Sequence, residues 1–217
     1  MLDPFLRPLK DRALAPVVRA AAGVPPGAVT TLGLALGLGA AWAAWSGAFT
    51  EGLLLWLANR FLDGLDGAVA RQQSNQSDLG GFLDLMADFA VYAAIPVALA
   101  LRPGADPGLA SGALLLLAAF YLNAVSWMVP AAILEKRGRG AAVRGEPTSV
   151  AMPEGLMAGT ETVVFYAFFF LFPNHQVFLF RLMAALTGLT VLHRIVWARR
   201  AFGSSSQGSL PKPPFPG

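Results

Sequence analysis

The chain has 217 residues, of which 55% are hydrophobic and 13% are charged, and its formal net charge is +3. Soluble domains carry about 25% charged residues, so this composition favours an integral membrane protein. There is no cysteine, which excludes a disulfide framework and any cysteine-ligated metal.

The N-terminal segment over residues 4–22 mixes apolar residues with Arg7, Lys10, Arg12 and Arg19. This pattern predicts an amphipathic helix that lies on the membrane surface. Several prolines in the segment limit regular helix, so a loosely structured basic tail is the alternative.

Six apolar stretches follow, each roughly 18–26 residues long and therefore able to cross a bilayer core of about 30 Å. They lie at residues 28–48, 51–71, 79–101, 109–134, 155–172 and 177–197. We expect an all-α membrane protein with six transmembrane helices after the interfacial helix, forming one domain over residues 1–201. The Gly-, Ser- and Pro-rich residues 202–217 predict a disordered tail.

Basic residues collect on one side of these spans. They are Arg7, Lys10, Arg12, Arg19, Arg71, Lys136, Arg137, Arg139, Arg144, Arg199, Arg200 and Lys212. The loops of the other side contain Arg102 alone. The positive-inside rule then predicts that both termini face the cytoplasm. We expect an integral protein of the inner (cytoplasmic) membrane.

Four aspartates lie within the second and third spans, which are otherwise mostly apolar. Asp63 and Asp66 are three residues apart, and Asp84 and Asp88 are four apart, so each pair shares one helix face. Carboxylates in apolar surroundings need neutralisation, and a hard divalent cation is the simplest candidate. Oxygen ligands favour Mg²⁺ or Mn²⁺ over zinc. Two ions are usual where a leaving group is displaced at phosphorus. This cluster faces the cytoplasm in the predicted topology.

Small residues accompany the aspartates at helical spacing. Gly67 and Ala70 continue the stripe of Asp63, and Gly80 precedes Asp84 by one turn. Small residues on a polar face leave room for an oxygen-rich ligand such as a nucleotide diphosphate. Arg71, one turn after Gly67, could bind phosphate through its planar guanidinium.

The full pattern resembles the motif of the CDP-alcohol phosphotransferase family at eight specified positions. It reads Asp63-x₂-Asp66-Gly67-x₂-Ala70-Arg71-x₈-Gly80-x₃-Asp84-x₃-Asp88. The resemblance implies metal-dependent transfer of a phosphatidyl group from a CDP-linked donor, CDP-diacylglycerol first among them, to an acceptor alcohol with release of CMP. Such a phospholipid-synthesis enzyme acts at the bilayer, commonly as a homodimer, and binds no nucleic acid.

The resemblance also implies a role for each motif residue. The metal ligands would be Asp63, Asp66, Asp84 and Asp88. Asp88 would in addition be the catalytic base that takes the proton of the acceptor hydroxyl. The nucleotide and its diphosphate would lie against Asp66, Gly67, Ala70, Arg71 and Gly80.

The acceptor is less defined. The basic connection that contains Arg137, Arg139 and Arg144 is explained by the positive-inside rule alone or, alternatively, by capture of an acceptor phosphate. Serine, glycerol 3-phosphate, inositol phosphate and a lipid alcohol all remain open as acceptors.

A divalent-cation carrier is the alternative function, because intramembrane carboxylates can line an ion path. The small residues and the arginine of the motif argue against it. Gly67, Ala70 and Arg71 have no role in a cation path.

Overall fold

Proline, glycine and serine residues mark where several of the helices begin and end. The computed structural model describes residues 16–17, 23–73, 77–138, 155–157 and 159–203. Its helices are α1 Pro26–Ser46, α2 Phe49–Gln72, α3 Asp78–Leu101, α4 Gly108–Lys136, α5 Gly159–Leu171 and α6 Gln176–Gly203. A short 3-10 helix, Pro173–His175, joins α5 to α6.

Local sequence explains the caps that frame the first three helices. Pro26 occupies the start of α1, where a missing backbone N–H has no cost. Gly47 ends α1 with a φ of 78°, a left-handed conformation that suits glycine. The Oγ of Ser77 accepts a hydrogen bond of 3.0 Å from the N–H of Gly80 and so caps α3.

Within the described residues, four helices are long and apolar enough to cross a membrane: α1, α3, α4, and α6 with its 3-10 turn. Helix α2 has 24 residues but carries several charged side chains. Helix α5 is apolar but has only 13 residues. The all-α prediction is confirmed, and four of the six predicted spans meet the requirements of length and composition.

Two helix boundaries differ from the expected ones. The fifth helix begins at Gly159 rather than at 155, because residues 155–157 pack on α6 instead: the N–H of Met157 donates to Oγ1 of Thr190 at 3.0 Å. Helix α6 continues to Gly203, two residues into the predicted tail, and Phe202 packs edge-on against Trp197. The interfacial helix predicted over 4–22 lies outside the described residues except for residues 16–17, which are helical, and residues 204–217 also lie outside them.

Helix α1 packs against both α2 and α3. The approach to α3 is close at Gly37, where a Cβ would lie 2.8 Å from Cγ1 of Val91 and 3.1 Å from Nδ2 of Asn59. On the neighbouring turn, the carbonyl of Gly33 accepts a 2.8 Å hydrogen bond from Nδ2 of Asn59. The small residues Gly33 and Gly37 thus let α1 approach its neighbours closely.

Helix α4 packs against α6, and a buried arginine joins them. The Nη1 of Arg194 donates to Oδ1 of Asn123 at 2.8 Å and to Oγ of Ser126 at 3.3 Å. Asn123 thus takes part in a hydrogen bond between helices. Helix α5 contacts both α2 and α6 and so connects the two parts of the bundle.

The bundle has two chemically different ends. The beginning of α1, the second half of α2 and the first half of α3 form the carboxylate end, which carries Asp63, Asp66, Asp84 and Asp88. The opposite end, which we term the tryptophan end, carries Trp42, Trp45 and Arg102. The Trp42 and Trp45 rings lie 5.0 Å apart and both side chains are exposed, as in an interfacial aromatic belt.

Candidate active site

The four aspartates line one cleft, although they come from two helices. Asp63 and Asp66 project from α2, and Asp84 and Asp88 project from α3. The other lining residues are Thr30, Gly33, Leu34, Asn59, Arg60 and Ala87. Helical spacing aligns each pair, and the packing of α2 and α3 on α1 brings the pairs together.

Asp66 is the most deeply buried of the four, with 5% of its surface exposed. The hydroxyl of Thr30 on α1 donates a 2.9 Å hydrogen bond to its Oδ2. A carboxylate this buried needs such partners, since an isolated charge in an apolar interior is costly. Thr30 therefore ties the first helix to the carboxylate cluster.

Arg60 connects the two pairs of aspartates. Its Nη2 donates to Oδ1 of Asp88 at 2.7 Å, and its Nη1 lies 3.7 Å from Oδ2 of Asp63 one turn away on the same helix. The side chain of Arg60 is 8% exposed, while those of Asp63 and Asp88 are 29% and 26% exposed. The guanidinium is thus the buried member of each ion pair, and the two carboxylates still reach the cleft.

The cleft carries more negative than positive groups. Asp84 interacts electrostatically with both Asp66 and Asp88, and Arg60 is the basic residue in the lining. Four carboxylates against one guanidinium leave a net negative lining, which attracts cations. No three Asp, Glu or His side chains in the described ranges are already close enough together to form a preassembled metal site.

The remaining predicted site residues are distributed around this cleft. Gly67 and Ala70 are half-buried on α2, and Gly80 is exposed in the first turn of α3. Arg71 is helical, and its side chain lies outside what the structure describes. Arg137 is exposed after α4, with its Cζ 5.1 Å from the centre of the Phe202 ring. Arg139 and Arg144 lie outside the described residues.

The sequence pattern did not predict the contacts that Thr30, Asn59, Arg60 and Tyr92 make at or beside the cleft. Three of them had a usable signal. Asn59 and Arg60 precede Asp63 by four and three residues, and Tyr92 follows Asp88 by four, so each shares a face with an aspartate. Thr30 had none, because its partner Asp66 lies on another helix.

The family model of CDP-alcohol phosphatidyltransferase matches residues 24–195, which include every helix of the cleft. The chain belongs to this family. It is therefore an enzyme, a CDP-alcohol phosphotransferase, and this result favours the predicted transferase over the cation carrier.

A curated relative matches the transferase over almost its whole length. The inner membrane protein YnjF of Escherichia coli (strain K12) is 34% identical over 203 residues, covering 91% of this chain and 95% of that protein.

Solved structures show the same fold. Phosphatidylinositol phosphate synthase (PgsA1) of Mycobacterium tuberculosis with CDP-DAG bound has a TM-score of 0.68 at 20% identity, covering 91% of this chain and 99% of that one. The same synthase in complex with manganese and citrate has a TM-score of 0.67 at 20% identity, covering 89% and 92%.

Proposed function

We propose that the enzyme transfers a phosphatidyl group from CDP-diacylglycerol to an acceptor alcohol and releases CMP. One observation carries this proposal: the four aspartates of the family pattern line one cleft at the end of a bundle of apolar helices. The donor is supported by the fold shared with a synthase whose structure contains CDP-DAG. A lipid donor also suits a cleft that opens beside helices with exposed apolar side chains.

The donor set fits a divalent cation. Carboxylate oxygens are the preferred ligands of Mg²⁺ and Mn²⁺, and the net negative lining favours cation entry. Two metal ions would be held by Asp63, Asp66, Asp84 and Asp88. The synthase that shares this fold has been solved in complex with manganese. When bound, the cations supply positive charge to the diphosphate oxygens of the donor.

Asp88 is the residue to which we assign proton transfer. Its carboxylate would take the proton of the acceptor hydroxyl as the acceptor oxygen bonds to the β-phosphorus of the donor, the one that carries diacylglycerol. The bond from that phosphorus to the bridging oxygen breaks, and CMP leaves with the bond's electrons. Asp88 suits this role because it is half-exposed at the cleft, whereas Asp66 is buried and bonded to Thr30.

We assign the nucleotide and the acceptor to different sets of residues. We assign the nucleotide to Asp66, Gly67, Ala70, Arg71 and Gly80, where half-buried Gly67 and Ala70 leave space along α2. We assign an acceptor phosphate to the basic connection that begins at Arg137. That connection follows α4, whose last turn carries Lys136.

The proposed setting is the inner membrane, as an integral protein with the cleft and both termini in the cytoplasm. Lys136, Arg199 and Arg200 end α4 and α6, and these helices run in the same direction as α2, towards the carboxylate end. Basic residues at that end fit the positive-inside rule. A homodimer is the expected assembly.

An acceptor screen tests the proposal. The purified full-length enzyme, in detergent micelles containing CDP-diacylglycerol and Mn²⁺ or Mg²⁺, is given serine, glycerol 3-phosphate, inositol 1-phosphate or a lipid alcohol, and CMP is measured. We expect CMP release that needs both the cation and one of these acceptors, and that stops when the metal is chelated.

Release from CDP-linked small alcohols, but not from CDP-diacylglycerol, would overturn the assigned donor and keep the reaction class. No CMP from either donor class, in a preparation that still binds Mn²⁺, would overturn the proposed reaction.

A further inference from the structure

Arg60 is a buried arginine in the middle of α2, beside the aspartates to which we assign the metal. Its side chain is 8% exposed, and it lies at the carboxylate cluster rather than at a helix end. Buried ionisable residues in a membrane protein are costly to keep, so they commonly have a functional role. The motif that defines the family pattern in this chain begins three residues later and does not include Arg60.

The guanidinium is fixed on all its edges. The Nε donates to Oδ1 of Asn59 at 2.8 Å, Nη1 donates to the hydroxyl of Tyr92 at 2.9 Å, and Nη2 donates to Oδ1 of Asp88 at 2.7 Å. Its Cζ lies 4.7 Å from the ring centre of Trp56 and 5.1 Å from that of Tyr92. A planar group that donates to three acceptors and lies against two rings has a single orientation.

The residues that hold Arg60 are themselves anchored to other helices. Asn59 donates to the carbonyl of Gly33 on α1, and the indole of Trp56 donates to the carbonyl of Val163 on α5 at 3.3 Å. The hydroxyl of Tyr166 on α5 donates to the backbone carbonyl of Tyr92 on α3. Four helices therefore converge to fix Arg60, which among the described residues is the cation that contacts Asp88.

The contact with Asp88 is specific to one oxygen. Arg60 engages Oδ1, and among the described residues it is the hydrogen-bond donor to this carboxylate. Engagement of one oxygen by a fixed guanidinium sets the plane of the carboxyl group, as carboxylate partners do for metal-bound histidines. The second oxygen, Oδ2, is then left for the cleft.

We propose that Arg60 is a positioning residue, which orients Asp88 so that its Oδ2 faces the acceptor hydroxyl and the metal. This inference rests on the proposed function for the role of Asp88. Arg60 does not touch the reacting atoms in this assignment. It acts by holding the carboxylate still, which lowers the cost of reaching the reactive geometry.

Two variants separate positioning from simple charge balance. Arg60→Lys keeps the charge and loses the planar fork, and Tyr92→Phe removes one acceptor of the guanidinium while leaving the ring and Asp88 intact. In the CMP assay we expect Arg60→Lys to lower kcat about 10- to 100-fold with little change in KM for CDP-diacylglycerol. Tyr92→Phe should lower kcat about 2- to 10-fold, the equivalent of one hydrogen bond. Arg102→Lys is the matched control, because Arg102 also lies over an aromatic ring, that of Phe49, but at the tryptophan end.

Mn²⁺ binding, measured by the loss of the free-ion EPR signal during titration, provides a second readout that does not depend on turnover. If Arg60 positions Asp88, both Arg60→Lys and Arg60→Gln should bind Mn²⁺ more weakly than the wild type, by about 10-fold. If Arg60 were only a counter-charge, Arg60→Gln should bind Mn²⁺ more tightly, because a competing positive charge is gone.

Several outcomes would overturn the inference. These are wild-type kcat in Arg60→Lys, tighter Mn²⁺ binding in Arg60→Gln, and a rise in KM at constant kcat, which would make Arg60 a substrate-binding residue. The thermal unfolding temperatures of Tyr92→Phe and Arg60→Lys are the last check. If they fall in parallel with the loss of activity, Arg60 has only a structural role. If the wild type releases no CMP at all, the proposed function fails, while the Mn²⁺ titrations still decide whether Arg60 orients Asp88.

Discussion

Each end of the bundle holds an arginine against an aromatic ring, but the polar groups around the two arginines differ. At the carboxylate end, Arg60 lies over two aromatic rings and contacts two carboxylates. At the tryptophan end, the Cζ of Arg102 lies 5.0 Å from the centre of the Phe49 ring, and its buried Nε has no hydrogen-bond partner among the described residues. Stacking on an aromatic ring can thus hold an arginine at either end, but only at the carboxylate end does the arginine meet groups that can hold a cation or take a proton.

The difference lies in how many helices contribute to each arginine's surroundings. The neighbours of Arg60 are tied to α1, α3 and α5 through Asn59, Tyr92 and Trp56. Arg102 follows the end of α3 and lines a groove with Trp45, Ser46, Gly47 and Pro103, which belong to the last turn of α1 and to the turns after α1 and α3. A site that must hold catalytic groups precisely placed is better built on helices than on loops.

The largest expected effect is at Asp88. Asp88→Asn removes the assigned base and keeps its size, so CMP release should fall about 10²- to 10⁴-fold. The matched control is Asp106→Asn at the other end, where Oδ1 of Asp106 accepts a 2.7 Å hydrogen bond from the N–H of Gly108 and an amide oxygen can do the same. Wild-type turnover in Asp88→Asn would remove its assignment as base, and equal losses in both variants would point to a general effect of carboxylate replacement.

The next effect concerns the link between α1 and the cluster. Thr30→Val removes the hydroxyl that donates to Asp66, so Mn²⁺ affinity should fall about 10- to 100-fold in the titration. Thr31→Val is the matched control, since the Thr31 hydroxyl bonds to the carbonyl of Gly27 within its own helix. Equal Mn²⁺ affinities for the two variants would show that Thr30 does not support the metal site.

The smallest effect is on thermal stability and tests the close contact between α1 and α3 at Gly37. Gly37→Ala would place a Cβ against Val91 and Asn59, and such overpacking costs about 1–3 kcal/mol. Gly39→Ala, where a Cβ would lie an ordinary 3.5 Å from Cδ1 of Leu55, is the control. Thermal unfolding in detergent should give a lower Tm for Gly37→Ala, and a Tm equal to or above that of Gly39→Ala would contradict the close contact between α1 and α3.

Much of the site could be predicted because it depends on helical periodicity. The spacing of the aspartates on α2 and α3 places each pair on one face wherever the helix lies, and the eight-position pattern identified the family. The helices themselves follow from long apolar runs and from breaks at residues such as Gly47 and Ser77. The fifth helix was less predictable, because residues 155–157 are diverted by a hydrogen bond to Thr190, 33 positions further along the chain.

By itself, then, the sequence determined the membrane-type composition, the helices and the two carboxylate pairs, all of which rest on neighbours within a few turns. Only the tertiary structure decided that Thr30 reaches Asp66, that Arg60 joins Asp63 to Asp88, and that α5 supports the residues around Arg60. The physical reason is that a helical period fixes which side chains share a face, whereas the partner of that face depends on how close neighbouring helices approach. Here that approach is set by small residues such as Gly37 and by buried hydrogen bonds between helices.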